Sequence, residues 1–338
     1  MKRFFFPIIA LSMAVMTGCS GGATEAFVPE STGAPYDVYI IMPDDLKETS
    51  LNDSLHAVYE YPMECTPNGD EYFYVSTVHP DNFKRSIRTL GNIVMVDVDP
   101  QNASEPYVAV ERDKYARNQV VVKMHGQTAQ SLADHIMTMQ EGLRSIFVKA
   151  EIKRAVQKLE KDNALTQNDR LKKLQNVSML IPYAIKKPGV GAEDKNFFWV
   201  TDDYQDKQSH LVVYSVPYTD ANIFSLEGAV AVRDSVMKAN IKGGTPDSYM
   251  TTNKRVVLPE YKALNLNDKY VGELRGMWRM ENGLMAGPFV CHICLDELNK
   301  RVVFAEGFCY APNDGKRRLI RNLEASLYTL KLPSDNDE

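Results

Sequence analysis

Cys291 and Cys294, separated by His292 and Ile293, are the residues whose types and spacing most resemble a chemical centre. A Cys-x-x-Cys pair supports redox chemistry when both thiols share one face of a helix. This pair lies in 287–295, which the residue pattern predicts to be a strand, and strand periodicity places the two thiols on opposite faces. No second pair of ligands completes a zinc site. We therefore expect strand packing here, with no metal and no cofactor.

Other catalytic signatures are incomplete. Ser235 and Lys238 fit Ser-x-x-Lys, but a second lysine motif follows at once in 242–244, whereas penicillin-recognising enzymes keep such motifs far apart. Asp97 and Asp99 begin like a calcium loop that lacks its glycine and closing glutamate. The histidines are scattered along the sequence, and none has an acidic or nucleophilic neighbour at the spacing of a known catalytic motif. They are His56, His79, His125, His135, His210 and His292. We predict no catalytic residue; the alternative is a hydrolase whose site forms from distant residues.

The stretch 276–310 combines aromatic and charged residues in a way that suits binding. Its candidate binding patch consists of Trp278, Arg279, Glu306 and Tyr310. Aromatic rings offer flat apolar area, and charges fix the orientation of a sugar, a peptide or a protein surface. Core packing with an exposed charged face is the more frequent outcome for such residues, so binding here is a hypothesis.

Runs rich in aromatic and β-branched residues predict the strands that would carry this patch and the rest of the fold. The predicted strands are 36–42, 71–78, 92–98, 119–124, 197–200, 211–216, 272–280, 287–295 and 301–310. A long amphipathic helix is predicted from an N-cap at Thr128 through Leu159, and further helices over 51–59, 226–239 and 316–331. The segment 241–267 reads as irregular. This mixture of elements predicts an α+β fold with antiparallel sheets and long amphipathic helices.

The chain is predicted to form two packed α/β halves. They are 36–161 and 176–332, with a polar linker at 162–175 and an acidic tail at 333–338. An internal duplication is suggested by the similar segments 72–76 and 212–216, each followed by a helix. The composition, with 44% hydrophobic and 25% charged residues, is that of a globular protein. A net charge of −5 without any basic tract argues against a nucleic-acid partner.

The first 18 residues have the layout of a secretory signal peptide. Lys2 and Arg3 precede an uncharged apolar run that is too short to span a bilayer. Met16-Thr17-Gly18-Cys19 then resembles the lipobox of bacterial lipoproteins, although methionine is an unusual first residue of that motif. The resemblance implies cleavage after Gly18 and lipidation of Cys19, and two or more acyl chains would anchor the protein stably. Residues 19–35 would form the lipidated tether.

Two stretches resemble a domain-of-unknown-function family of Bacteroidota envelope lipoproteins. The first runs from Trp278 to Leu330 and includes WRMENGLMAGPFV and EGFCYAP; the second is YARNQ at 115–119. The resemblance implies an envelope lipoprotein and supplies no activity or functional residues. It also implies a body that faces the periplasm from the outer membrane, because only Glu25 is acidic in the residues just after Cys19.

These observations predict a lipid-anchored envelope protein that is a non-catalytic binding or structural module. Its expected partners are the membrane, through acyl chains on Cys19, and an envelope protein, peptide or glycan ligand. Nucleic acid is not expected.

Overall fold

Two β-sheets organise the chain in the computed structural model. The structure describes residues 28–66, 69–189, 196–202, 204 and 206–336. Helices cover the sheets, and the predicted α+β class is confirmed. The predicted signal peptide, Cys19 and most of the tether lie outside the described residues. The names first half and second half are kept below for 36–161 and 176–332.

The first sheet has five strands in the order β2-β1-β3-β5-β4. They are β1 (Asp37–Ile41), β2 (Tyr74–Val78), β3 (Asn92–Val98), β4 (Tyr107–Arg112) and β5 (Val120–Gly126). All neighbouring strands are parallel except β4, which pairs antiparallel with β5. The prediction of antiparallel sheets is therefore wrong for this half. Parallel pairing requires crossover connections, and helix α1 (Ser50–Tyr59) provides one between β1 and β2.

The second sheet has eight strands, all of whose neighbours are antiparallel. They are β6 (Lys187–Pro188), β7 (Phe197–Thr201), β8 (Gln208–Pro217), β9 (Tyr249–Asn253), β10 (Glu260–Leu266), β11 (Lys269–Glu281), β12 (Ala286–Asp296) and β13 (Arg301–Tyr310). The order is β10-β11-β12-β13-β8-β7-β6, with β9 also paired to β11. The predicted meander of three strands is confirmed as β11, β12 and β13. The irregular segment expected at 241–267 instead contains β9 and β10.

The remaining helices cover the faces of the sheets. They are α2 (Arg85–Arg88), α3 (Ala129–Thr138), α4 (Gln140–Lys161), α5 (Leu165–Gln175), α6 (Leu226–Asn240) and α7 (Arg317–Leu327). Short 3-10 helices occur at Asp44–Leu46, Pro80–Asn82, Ala221–Phe224 and Pro333–Asn336. In the described part of the chain, no helix has both the length and the apolar character needed to cross a bilayer.

The predicted helix from Thr128 to Leu159 is two helices. The Thr128 side chain accepts a hydrogen bond from the Ser131 N–H at 3.1 Å, so the predicted N-cap is confirmed. Met139 then has a non-helical backbone, with φ −121° and ψ 19°, and separates α3 from α4. The regular spacing of apolar residues continues across Met139, because both helices bury residues in one core. The spacing therefore could not show where the first helix ends.

Residues 162–175, expected to form a linker, are mostly the helix α5. Leu171 is fully buried, and Gln167 and Gln175 are also buried. The polar character of the segment comes from the exposed face of this helix. The Gln167 amide donates to the carbonyl of Lys186 at 2.8 Å, and Gln175 donates to Asn196 at 2.6 Å, so the buried amides are bound within the second half.

The two sheets do not share a strand order, which gives no support to an internal duplication. The segment 72–76 leads into β2, an edge strand that runs parallel to β1. The segment 212–216 belongs to β8, an interior strand that pairs antiparallel on both sides. The likeness between the two segments reflects the residue types that any strand favours.

Both faces of the central strands of the second sheet are buried. One face packs against α7, where Ile320, Leu323 and Leu327 contact residues such as Val303. The other face packs against α6, where Val230 and Met237 meet a layer of aromatic side chains. Because no face of the central strands is open to water, their sequences read as continuous apolar runs rather than as alternating ones.

Gly142 in α4 and Gly228 in α6 give a matched test of these helices. A Cβ at Gly142 would meet nothing within 4 Å, whereas a Cβ at Gly228 would lie 2.0 Å from the carbonyl oxygen of Asn222. We predict that Gly142→Ala stabilises the protein by about 0.5 kcal/mol, since alanine loses less entropy in a helix. Gly228→Ala should destabilise it by about 1–3 kcal/mol through the clash. Urea unfolding measures both; a destabilising Gly142→Ala would contradict the position of α4.

Candidate functional site

A cavity of about 480 Å³ opens in the layer between the second sheet and the end of α6. We call it the aromatic pocket and define it by its apolar lining: Trp199, Ile241, Met250, Trp278, Met280, Leu284, Met285 and Phe308. Polar side chains also line it, among them His210, Gln208 and Ser248. A mostly apolar cavity of this size with a few polar groups is the usual form of a small-ligand site.

Three adjacent strands fix the rings of the aromatic pocket. The indole Nε1 of Trp199 on β7 donates to Nδ1 of His210 on β8 at 3.2 Å. The His210 ring stacks on Phe308 of β13, with centroids 4.4 Å apart and planes 11° from parallel. Since Nδ1 accepts this hydrogen bond, the proton of a neutral His210 lies on Nε2. The rings support one another and form a preorganised wall.

Trp278 of β11 closes the wall on the other side. Its ring meets Phe308 edge-on, with centroids 5.7 Å apart at 69°. Its Nε1 donates to the carbonyl of Cys309 at 3.1 Å, so the polar end of the indole is satisfied inside the protein. Trp278 therefore contributes apolar area to the aromatic pocket and no free donor.

Two loops form the mouth of the aromatic pocket. One is 242–248, where the Gly243 N–H donates to the Ser248 carbonyl at 2.8 Å. A Cβ at Gly243 would lie only 2.1 Å from the Ser248 hydroxyl oxygen, so this close approach requires glycine. The other loop is 282–285 between β11 and β12, where Leu284 is fully exposed at 103%. A fully exposed leucine beside an apolar cavity is available to cover a bound group.

The structure separates the residues of the predicted binding patch. Trp278 and Tyr310 share a face, with ring centroids 6.4 Å apart. Arg279 follows Trp278 in the same strand and so points to the opposite face, where it pairs with Glu281. Glu306 shares the face of Tyr310 but is completely buried. The four residues therefore do not form one surface, contrary to expectation. Of the four, Trp278 lines the aromatic pocket.

Glu306 is held in the core by Arg233 of α6. The Arg233 Nη2 and Nε atoms donate to the two carboxylate oxygens at 2.6 and 2.8 Å. The guanidinium also lies 3.7 Å from the centroid of the Phe289 ring and donates to Thr252 at 3.0 Å. Burial raises the pKa of the Glu306 carboxyl despite the nearby guanidinium. Both charges are satisfied inside the protein, which assigns Glu306 to stability rather than to ligand contact.

Cys291 and Cys294 lie on opposite faces of β12, as predicted. Cys291 belongs to the core under α6, and Cys294 to the core under α7. Burial raises the pKa of the Cys294 and Cys309 thiols to about 12 and that of Cys291 well above its usual value. These thiols are protonated at neutral pH and are poor nucleophiles. Across the described ranges, the structure brings together no group of three or more metal-ligating side chains.

A second cavity, of about 400 Å³, lies between the two halves and is lined by charged residues. We call it the inter-half cleft and define it by Glu64, Tyr72 and Arg144 of the first half with Arg275, Arg321 and Glu324 of the second. Sequence spacing did not bring these residues together. They converge through helix packing, which leaves no local motif.

Sequence reasoning found Trp278 but missed Trp199, His210 and Met250, which share its pocket. Trp199 lies in the strand predicted at 197–200, whose aromatic residues were the one sequence feature that could have indicated a binding surface there. Met250 lies in β9, within the segment predicted to be irregular. The pocket assembles from segments that are far apart in sequence, so only their pairing in the sheet places them together.

Comparison with known proteins identifies domains whose function is not established. Residues 163–329 match the model described as Domain of unknown function (DUF4837). Residues 31–160 match a second model, Domain of unknown function (DUF8532). No curated protein matches the chain. The expected likeness to uncharacterised domains is thus confirmed, whereas origin among Bacteroidota lipoproteins stays a prediction.

Among solved structures, the chain is similar to the Ran-binding protein Mog1p of Saccharomyces cerevisiae. The match has 7% identity and a TM-score of 0.31, and covers 46% of this chain and 90% of that chain. A point mutant of protein Mog1 matches with 7% identity, the same coverage and a TM-score of 0.30.

Glu306 can be tested as a stability residue against Glu281, which pairs with Arg279 near the surface. Glu306→Gln removes the carboxylate that pairs directly with the buried Arg233 and leaves it only the longer contact, 3.7 Å, with Asp234, so we expect a loss of about 3–5 kcal/mol in the free energy of unfolding. Glu281→Gln should cost no more than about 1 kcal/mol, because that pair is partly exposed. Chemical denaturation measures both. A loss for Glu306→Gln no larger than that for Glu281→Gln would contradict the structural role.

Proposed function

We propose that this chain is a non-catalytic, lipid-anchored binding module of the bacterial cell envelope that holds an apolar side chain of a peptide in the aromatic pocket. The observation that carries the proposal is the combination of a preformed apolar cavity with an exposed leucine at its mouth. Burial of one leucine-sized group in such a cavity is worth about 1.5–3 kcal/mol, which suits a peptide anchor.

The accessibility of the rings favours a peptide over a glycan. Sugars stack on the open faces of aromatic side chains, but Trp278 is only 2% exposed and is covered by Phe308 and Tyr310. The rest of the lining includes Met250 and Met280, whose flexible thioethers adapt to irregular apolar shapes. This chemistry suits a branched or aromatic side chain.

The alternative of an envelope hydrolase gains one observation from the inter-half cleft, where glutamates from both halves converge. A hydrolytic pair needs one carboxyl that keeps its proton near neutral pH. Burial opposes ionisation of Glu64, but its hydrogen bonds, led by the one from Tyr72, and the nearby cations together outweigh burial, so the pKa of Glu64 is lowered. Burial is likewise outweighed at Glu273, whose pKa Arg275 holds well below its usual range. These two carboxylates are ionised, so the binding module is the better supported function.

Tryptophan fluorescence tests the proposal directly, because the chain has only two tryptophans and both line the aromatic pocket. The probes are tripeptides Gly-X-Gly, acetylated and amidated so that they carry no terminal charge, with leucine, phenylalanine or glycine at X. We expect a saturable change in emission with the leucine and phenylalanine peptides and none with the glycine peptide. An equal response to all three would contradict a pocket selective for apolar side chains.

Leu284 and Leu298 provide matched variants for this experiment, since both are exposed leucines in hairpin turns at opposite ends of β12. Leu284→Ala should weaken binding of the leucine peptide roughly tenfold, because the side chain at the pocket mouth is lost. Leu298→Ala should leave it unchanged. If both variants bind like the parent protein, the mouth of the aromatic pocket takes no part in binding.

Lipidation is tested separately with a clickable fatty acid. The sequence Met16-Thr17-Gly18-Cys19 supports modification of Cys19, which would hold the protein at the membrane. We expect the labelled band in cells that produce the parent protein and its loss in Cys19→Ala. Cys65→Ala is the control, because that cysteine is buried and should leave labelling intact. Label that survives Cys19→Ala would exclude this anchor.

A further inference from the structure

The inter-half cleft lies on the face of the second sheet opposite the aromatic pocket. Its floor is a buried network in which Arg275 donates to Glu273 at 2.7 and 2.9 Å and also to Glu324. Arg321 donates to the second oxygen of Glu324 at 2.7 Å. Two guanidiniums and two carboxylates balance one another there, so the floor of the cleft is neutral overall.

Arg321 retains donors that this network does not use. Its Nε and Nη2 atoms are buried and have no hydrogen-bond partner in the part of the chain that the structure describes. The guanidinium lies 5.1 Å from the centroid of the Tyr72 ring and 5.7 Å from that of Tyr36. A ring face attracts the cation, but it does not replace hydrogen-bond acceptors. Leaving buried donors without acceptors destabilises the folded state, which points to an acceptor that arrives with a ligand.

Arg144 approaches the same aromatic ring from the first half. Its guanidinium lies 4.2 Å from the centroid of Tyr61 and 5.8 Å from that of Tyr72. Its Nη1 atom donates weakly, at 3.3 Å, to the Val58 carbonyl and to the Gln140 side chain. Among the described residues, no carboxylate pairs with Arg144. Two arginines from different halves therefore converge on Tyr72 with donors to spare, which is the arrangement that recognises a carboxylate.

The rim of the cleft carries the opposite charge. Glu141 lines the cleft one turn before Arg144 on α4, is exposed, and forms no ion pair within the part of the chain that the structure describes. Glu260 on β10 has a long contact, 3.6 Å, with Lys262, and no other ion pair with a residue that the structure describes. These carboxylates are available to an ammonium group that enters beside the arginines.

We propose that the inter-half cleft binds a small zwitterion of the amino-acid or short-peptide class. Arg144 and Arg321 hold its carboxylate beside Tyr72, and Glu141 holds its ammonium group. The site is independent of the aromatic pocket, because the two cavities lie on opposite faces of the second sheet. It also joins Arg144 and Glu141 of the first half to Arg321 of the second, so an occupant would stabilise the contact between the halves.

Isothermal titration of the full chain with alanyl-alanine tests this proposal. The dipeptide is compared with its N-acetyl and its C-amide derivatives, which lack the ammonium and the carboxylate respectively, and with free alanine, which distinguishes an amino acid from a peptide. We expect saturable binding of the dipeptide or of alanine, and affinities at least tenfold lower for both blocked dipeptides. Equal binding of the acetylated and the free dipeptide, or no binding of any probe, would overturn the proposal.

Variants locate the binding. Arg144→Gln and Glu141→Gln change partly or fully exposed residues and should fold normally, which thermal unfolding verifies. Each should weaken binding of the free ligand at least tenfold. Trp199→Ala alters the aromatic pocket and should leave this affinity unchanged, so failure of one site is distinguishable from failure of the other. Unchanged affinity in Arg144→Gln would show that the cleft does not hold the carboxylate.

Discussion

The structure depends on the charges that helix α7 carries into the protein. Arg321 and Glu324 are almost fully buried between the two halves, where they join Arg275 and Glu273 in one network. Removing any one of these groups would leave the buried network with an unbalanced charge. The same helix packs its apolar side on the second sheet and contacts α4 of the first half. One short element thus holds the layers together through both its faces.

This double role explains which parts of the fold the sequence could predict. The apolar residues Leu319, Ile320, Leu323 and Leu327 predict a helix and the face it buries. Arg321 lies on the polar face of this helix, so the residue pattern predicts that it is exposed to solvent. The pattern describes the helix alone and cannot show that the first half of the chain covers that face. The direction of the strands in the first sheet could not be predicted for a similar reason. The residue pattern along one strand does not show whether the neighbouring strand is parallel or antiparallel. The edge strand β10 was missed because most of its residues are polar and exposed.

The candidate site was predicted in part. Trp278 was identified from the density of aromatic residues, and strand alternation alone would have separated it from Arg279. Glu306 could not be assigned from sequence, because its partner Arg233 comes from a different element 73 residues away. The aromatic pocket and the inter-half cleft both join residues that no short motif links. For such sites the sequence supplies the residue types, and the packing of sheets and helices supplies their neighbours.

The position of α7 near the end of the described chain has a consequence for folding during synthesis. Its Arg321 reaches Tyr36, at the start of the first sheet, so almost the whole described chain lies between the two sides of that contact. A contact of such long sequence separation forms late, after the loop-closure entropy of the intervening chain has been lost. Until α7 emerges, Tyr36 and Tyr72 lack the helix that covers them. A chain that stops before Arg317 leaves the surface around Tyr36 and Tyr72 exposed. Chaperones and proteases bind such exposed surfaces of incompletely folded chains.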